Sequence, residues 1–308
     1  MTQPIVALWD RTPPILRGIG LMIVSSILFS AMHAAIRHVS TELPSYQIAF
    51  FRAFFGLVLF LPVAIRTRFG FLRTSRPWLH GLRALLNLCS MLAFFTALAT
   101  TPIARVTALS FSAPIFMAVM SVVLLGERMR VRRWAATILG FIGALIIIRP
   151  GIVEIDSGSV LVLGSAAVWA ACMIVIKILG RTESSMAITG YSNLLLSVMA
   201  LVPAIMVWKN PSLDAWVWLA FIGTVGTLGQ IAIAEALKQA DATAVMPFDF
   251  LKLIWATAFG FVFFAELPDQ YTWVGAAVIF SSGMYIAYRE SQLSKNSRMA
   301  SGSLSKKP

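Results

Sequence analysis

The chain has 308 residues, 58% of them hydrophobic and 12% charged, with 25 Lys and Arg against 13 Asp and Glu for a net charge of +12; its mean hydropathy is +0.82. Soluble domains carry about 25% charged residues, so the composition excludes an ordinary soluble protein. The basic residues sit mostly in short gaps between long apolar runs, which excludes a nucleic-acid surface with its cations on one exposed face.

A bilayer core of about 30 Å takes about 20 residues of apolar helix, and the sequence predicts ten such spans. Residues 1–17 hold Asp10, Pro13, Pro14 and Arg17 and make no secretory leader, so the first span, 18–36, reads as an uncleaved anchor after a cytoplasmic segment. Span two, 45–65, follows Glu42-Leu43-Pro44 and carries Arg52 about 10 Å from its outer end, at about 1.5 Å per residue. Span three, 77–98, carries Arg83 at a similar depth from its inner end, with Asn87 one turn further on the same face. Span four, 102–125, opens at Thr101-Pro102, and span five, 134–149, ends at Arg149-Pro150-Gly151. Spans six and seven are 159–179 and 186–208. Span eight, 214–236, follows Asn210-Pro211 and carries Gly223, Gly226 and Gly229, with Gln230 and Glu235 in its inner half. Span nine, 242–265, places Asp249 and Lys252 three residues apart on one face. Span ten, 271–288, follows Leu267-Pro268-Asp269, and residues 290–308 form a Ser-rich basic tail suited to lie near an anionic cytoplasmic leaflet.

Cytoplasmic loops retain positive charge. With the N-terminus inside, 18 of the 25 basic residues fall on the cytoplasmic side and four, Arg37, Arg105, Arg149 and Lys209, fall outside. Three, Arg52, Arg83 and Lys252, lie within spans. Both termini are therefore expected in the cytoplasm of a multi-pass inner-membrane protein.

A shift of 139 residues lays spans three to five on eight to ten without a gap: Val106 meets Val245, Phe111 meets Phe250, Ile115 meets Ile254, Glu127 meets Glu266 and Trp134 meets Trp273. An odd number of spans per half inverts the second copy. The loops agree, since Arg128, Arg130, Arg132 and Arg133 correspond to the non-basic Leu267, Asp269, Tyr271 and Thr272. The expected fold is an all-α integral membrane protein with ten transmembrane helices as two inverted five-helix repeats, 18–149 and 159–289. Many secondary transporters have this architecture, with the substrate between the repeats near the midplane.

The stretch from Pro102-Ile103-Ala104-Arg105-Val106-Thr107 through Ser112-Ala113-Pro114 to Leu125-Gly126-Glu127-Arg128 resembles the fourth-helix signature of the EamA-type drug/metabolite transporters. Phe50-Phe51-Arg52 and Pro247-Phe248-Asp249-Phe250-Leu251-Lys252 are similar to the same family's second-helix and second-repeat patterns. The resemblance implies a basket of ten helices around a central cavity, alternating access and no ATP-binding domain. The family moves amino acids, vitamins, nucleoside-like compounds, metallophores and toxic analogues, so it implies transport without naming the substrate.

A charge at the bilayer centre costs at least about 2.5 kcal/mol, so each intramembrane charge needs a partner or a watery cavity. Two readings stand. In one, Asp249 and Lys252 neutralise each other, Arg83 or Arg52 pairs with Glu235 or snorkels, and none meets substrate. In the other, the surplus cation holds an anionic group, above all a carboxylate, through the planar guanidinium fork, while a carboxylate takes the substrate's amine or a coupling proton. The second reading makes Arg83, Asn87, Asp249, Lys252, Arg52, Gln230 and Glu235 the substrate-binding candidates.

The glycine row of span eight is either close helix packing or exposed backbone on the pathway. Trp169, Phe94, Phe95, Phe248 and Trp255 either stack on an aromatic substrate or pack; Trp78, Trp134 and Trp273 read as interface anchors. Glu127 and Glu266 are assigned to repeat structure and gating. His33, His38 and His80 lie at three different depths, and Cys89 and Cys172 lie in apolar segments, so no enzyme, metal site or cofactor is expected; proton coupling stays open. The expected partners are a small-molecule substrate and the lipid bilayer, with no nucleic acid, and a homodimer is allowed for. The leading substrate class is amino acid-like or carboxylate-bearing, including an S-adenosylmethionine-type compound. A riboflavin-like vitamin is the alternative, and a channel or membrane-embedded sensor is the rival class.

Overall fold

The computed structural model describes residues 13–66, 74, 76–125, 131–149, 156–179, 182–183, 185–239, 248–249, 251–282 and 284–285, and among these the only regular structure is helical. The helices are α1 Pro14–Val39, α2 Ser45–Arg66, α3 Pro77–Thr100, α4 Ile103–Ser110, α5 Ala113–Leu125, α6 Val131–Ile148, α7 Ser157–Leu179, α8 Ser185–Met206, α9 Leu213–Gln239, α10 Leu251–Phe264 and α11 270–282. Six of them, α1, α2, α3, α7, α8 and α9, are long and apolar enough to cross a membrane; α6 and α10 contain shorter apolar stretches. Large apolar side chains stand exposed along them, Val131 and Leu213 more than four-fifths so, as lipid-facing helices require and aqueous surfaces do not. Trp78, Trp134 and Trp273, at the starts of α3, α6 and α11, are also exposed, where interface anchors belong.

Helix ends follow the local chemistry. Pro14 and Pro77 occupy first turns, where no amide partner is needed. Thr101, forced extended by the following Pro102, ends α3. Asp156 caps α7 by accepting from the amides of Gly158 and Ser159, each at 3.1 Å, and Asp269 caps α11 by accepting from the Thr272 amide at 2.8 Å and hydroxyl at 2.6 Å. Arg149 and Ala265 close α6 and α10 with φ of 53° and 54°, a strained choice for residues with a Cβ.

The structure departs from the expected spans in three places. Helix α1 starts at Pro14, inside the segment expected to precede the membrane. Span four is two helices, because Pro114 has no amide to continue the ladder; the chain tightens there, with Phe111 and Ser112 donating to Ala108 and Leu109 three residues back. Described helix in span nine starts at Leu251, and residues 240–247, 250 and the end of span ten lie outside the described residues, as do Glu127 and the tail.

Pairings cross between the halves. Helix α1 runs antiparallel to α9, with Ser25 donating to the Gly229 carbonyl at 2.9 Å and the His38 and Trp218 rings 5.1 Å apart. Helix α3 runs antiparallel to α7 through a double link in which Ser90 and Ser165 each donate to the other's carbonyl, at 3.0 and 2.8 Å. Helices α2 and α8 pair with each other; α2 also packs on α9, and α8 on α3. Exchanging α1, α2, α3 for α7, α8, α9 therefore maps these contacts onto one another.

Glycines set the closest approaches. A Cβ on Gly223 would stand 2.4 Å from the Phe55 Cβ, and one on Gly226 2.6 Å from the Met32 Sδ, so the α9 row is close packing. Helices α6 and α11 meet backbone to backbone: a Cβ on Gly143 would stand 2.9 Å from the Gly275 carbonyl oxygen, and one on Gly275 2.6 Å from that of Gly143. Backbone cannot swing aside as a side-chain tip can. Gly143→Ala should lower the thermal midpoint of the detergent-purified protein, by an overpacking penalty of about 1–3 kcal/mol. Gly20→Ala, where the new Cβ meets open space, should not.

Candidate functional site

Two groups of polar residues lie inside the bundle, and a third ties one end of it. The first is an interior polar cluster around Arg52 of α2, which keeps some accessible surface. Its Nη1 lies 3.7 Å from the Met91 Sδ of α3, and Gly226 of α9 leaves room for its guanidinium, which would come within 3.5 Å of a Cβ there. Lys252 of α10 pairs with Asp249, Nζ to Oδ1 2.5 Å, and lies 4.8 Å from the centre of the Phe29 ring. Ser30 donates to the Lys252 carbonyl at 3.1 Å, fixing α10 on α1. His33 packs tilted against Phe94 with ring centres 4.9 Å apart and is near enough to feel both Arg52 and Lys252; among the described residues its Nδ1 has no hydrogen-bond partner, nor has the buried Nε1 of Trp255. Among the described residues no carboxylate is within ion-pair distance of Arg52, whereas Lys252 has Asp249.

The second group lies nearer the other end, between α3, α7 and α8. Arg83 donates to the Ile188 carbonyl at 2.5 Å, Cys172 donates to the Arg83 carbonyl at 3.7 Å, and Asn87 donates to the Ser192 hydroxyl at 3.3 Å. His80 stacks on Tyr191 at 4.4 Å. Arg83 and Met91 are eight residues apart on α3, about 12 Å of helix rise, so the two expected arginines occupy different places. Gln230 is half-buried beside Gly229, and Glu235 accepts from Gln239 at 2.9 Å toward the end of α9. Among the aromatic candidates, Phe94 packs on His33, Phe95 is buried core, and Phe248 packs near Met22 and Ala236.

The third group gathers residues that the sequence places at or near span ends, among them Glu266, assigned there to repeat structure and gating. Arg37, one turn beyond His33 on α1, pairs with Glu266 and donates to the carbonyls of Leu98 and Thr101 at 2.7 and 3.0 Å. The other carboxylate oxygen of Glu266 accepts from the Ile103 amide at 3.0 Å. Arg149 pairs with Asp269 at 2.5 Å and lies 4.4 Å from the centre of the Tyr271 ring; Arg105 is 3.9 Å from the same carboxylate. Thr101 donates to Asp156 at 2.7 Å. At the same end, the side chain of Gln47 donates to the Lys209 carbonyl and accepts from its amide, at 2.7 and 3.0 Å, and Glu42 accepts from the Ser212 amide and hydroxyl at 2.7 and 2.9 Å. Every one of these contacts joins one half of the chain to the other except those of Arg37 to Leu98 and Thr101. The signal was present in the sequence: Arg37, Arg105 and Arg149 are three of the four basic residues on the side otherwise depleted of them.

Residues 16–149 match the model of the EamA-like transporter family, and residues 156–288 match it again. The chain belongs to the EamA-like transporter family. It is similar to an S-adenosylmethionine uptake transporter of Rickettsia bellii, 31% identical over 89% of this chain and 94% of the relative. It is also similar to a riboflavin transporter of Vibrio cholerae, 32% identical over 92% and 97%, and to the pseudopaline exporter CntI of Pseudomonas aeruginosa, 28% identical over 85% and 93%. A solved crystal structure shares the fold with a TM-score of 0.61 at 17% identity, over 88% of this chain and 98% of that one. As an EamA protein with bacterial transporter relatives and membrane-crossing helices, it is a multi-pass inner-membrane transporter of small metabolites.

Partial burial alone would raise the Asp269 pKa, but donation from the Thr272 side chain and amide, with Arg149 and Arg105 nearby, outweighs it and holds the carboxyl below its usual range. A depressed folded-state pKa stabilises above the unfolded value and is lost as pH falls through the folded one. Asp269→Asn should therefore lower the thermal midpoint in detergent at pH 7, and the gap to the parent protein should close below about pH 4.

Proposed function

We propose that this EamA protein is a secondary transporter that carries a small polar, carboxylate-bearing metabolite of the S-adenosylmethionine type by alternating access. In this reading ten spans form two inverted five-helix repeats, and both termini are cytoplasmic. The observation that carries the proposal is an interior polar cluster around Arg52 together with ion pairs that join the halves at one end of the bundle: Arg37 with Glu266 and Arg149 with Asp269. With the termini inside, that end is the outer one. Ion pairs that can part between two halves suit the gate of an alternating-access carrier, whereas a channel needs a continuous path.

Three further observations support the reading. The family model matches both halves of the chain in turn. The helix contacts exchange between those halves. The 18-to-4 division of basic residues favours cytoplasmic termini.

Arg52, with no carboxylate within ion-pair distance among the described residues, favours a carboxylate-bearing substrate, and the nearby aromatic residues Phe29 and Phe94 suit one that carries a purine or a sulfonium. Riboflavin is the second reading, favoured by relatives 32% identical over nearly the whole chain; it has no carboxylate for Arg52.

Counterflow in proteoliposomes tests both substrate and mechanism. Vesicles loaded with unlabelled S-adenosylmethionine should transiently accumulate the labelled compound, saturably, while riboflavin-loaded vesicles should show no such overshoot with labelled riboflavin. Overshoot with riboflavin alone would replace the substrate, and flux that neither saturates nor shows trans-stimulation would replace the transporter with a channel.

A further inference from the structure

We infer that Arg52 is the seat of the substrate's carboxylate, with Gly226 setting its depth. The inference rests on the proposed transport of a carboxylate-bearing metabolite and assigns the recognition to one side chain.

The argument begins with what surrounds the guanidinium. It carries five N–H donors, and among the described residues its one polar contact is the Met91 thioether, at 3.7 Å, a weak acceptor. Arg83 and Arg37 show how this chain satisfies a structural arginine: the first donates to a backbone carbonyl at 2.5 Å, and the second to two carbonyls and the Glu266 carboxylate. Among the described residues Arg52 has neither kind of acceptor. Lys252, the other cation of the cluster, already has Asp249. A guanidinium inside the bundle without an anion is costly, and it persists where an anion arrives during the working cycle.

Geometry selects a carboxylate. The guanidinium is a rigid fork that takes two carboxylate oxygens through parallel hydrogen bonds. Gly226 sits beside it: a methyl group there would press on the Met32 Sδ at 2.6 Å and approach the Arg52 Nε at 3.5 Å. Asp249, paired with Lys252, supplies a carboxylate at which a substrate's amine could exchange with the ammonium. A zwitterionic amino acid head would thus meet a fixed cation and an exchangeable ion pair.

The test compares two ligands that differ only in the carboxylate: S-adenosylmethionine and its decarboxylated analogue. Thermal shift and counterflow competition are measured on the purified full-length chain and on its Arg52→Lys, Arg52→Gln and Gly226→Ala variants. The parent protein should prefer S-adenosylmethionine by about 10-fold or more, the usual scale for hydrogen bonds to a charged group. Arg52→Gln should bind both ligands alike, and Arg52→Lys should keep part of the preference. Gly226→Ala, which retains the arginine if Arg52→Gln fails to fold, should weaken S-adenosylmethionine more than the analogue.

A merely structural arginine would shift both ligands together. Preference retained in Arg52→Gln, or an equal loss for both ligands in Gly226→Ala, would overturn the seat and leave the transporter reading standing. A parent protein that shows counterflow of riboflavin and ignores both adenosyl compounds would overturn the substrate reading and the seat with it.

Discussion

A charge in hydrocarbon must find a partner, and the arrangement of this molecule follows from where its charges find theirs. The penalty at mid-membrane is at least a few kcal/mol, comparable with a sizeable fraction of a protein's net stability. Most of the 25 basic residues avoid it by lying in loops. Of those within the spans, Lys252 is held by a carboxylate one turn away and Arg83 by a backbone carbonyl of the neighbouring helix; at one end of the bundle, Arg37 and Arg149 are held by carboxylates from the other half. Arg52 follows none of these patterns among the described residues, and the deviation marks the interior cluster.

Close packing brings these charges to their places. In a membrane, apolar contact with lipid is nearly as good as apolar contact with protein, so helix association relies on small residues and interhelical hydrogen bonds. Gly223, Gly226 and Gly229 draw α9 onto α1 and α2; Ser90 and Ser165 clasp α3 to α7; Gly143 and Gly275 join α6 to α11. The same approach that places α9 against α1 brings Gly226 to the Arg52 guanidinium. Helix α1 carries both His33 of the interior cluster and Arg37 of the end network, one turn apart, so a movement of α1 reaches both. Strained turns at Arg149 and Ala265 flank that network and aim its side chains back across the bundle.

Much of the organisation was legible in the sequence because hydrophobic length and turn chemistry are local. The joints at Glu42-Leu43-Pro44, Thr101-Pro102 and Asn210-Pro211 all separate described helices, and the Asp249 and Lys252 pair followed from helical spacing alone. The interruption at Phe111 and Ser112 was locally encoded too, by Pro114, but hydropathy hides it because the run stays apolar throughout. Pairing of Arg52 or Arg83 with Glu235 was a reasonable charge count. Counting cannot see that Arg83 reaches a backbone carbonyl, since every residue supplies one.

The sequence by itself determined that the chain lives in a membrane, roughly where its helices begin and end, how its basic residues divide between loops and interior, and the family to which its motifs point. These properties depend on residues within a few turns of one another. Only the tertiary structure decided which of the three interior cations has no carboxylate or carbonyl acceptor among the described residues, that Arg37 and Arg149 tie the halves together through Glu266 and Asp269, and that the glycine row of α9 is a packing surface. Those outcomes join residues up to 229 positions apart, and which side chains meet at such separations is set by how helices pack, a consequence of the whole chain's steric and electrostatic fit.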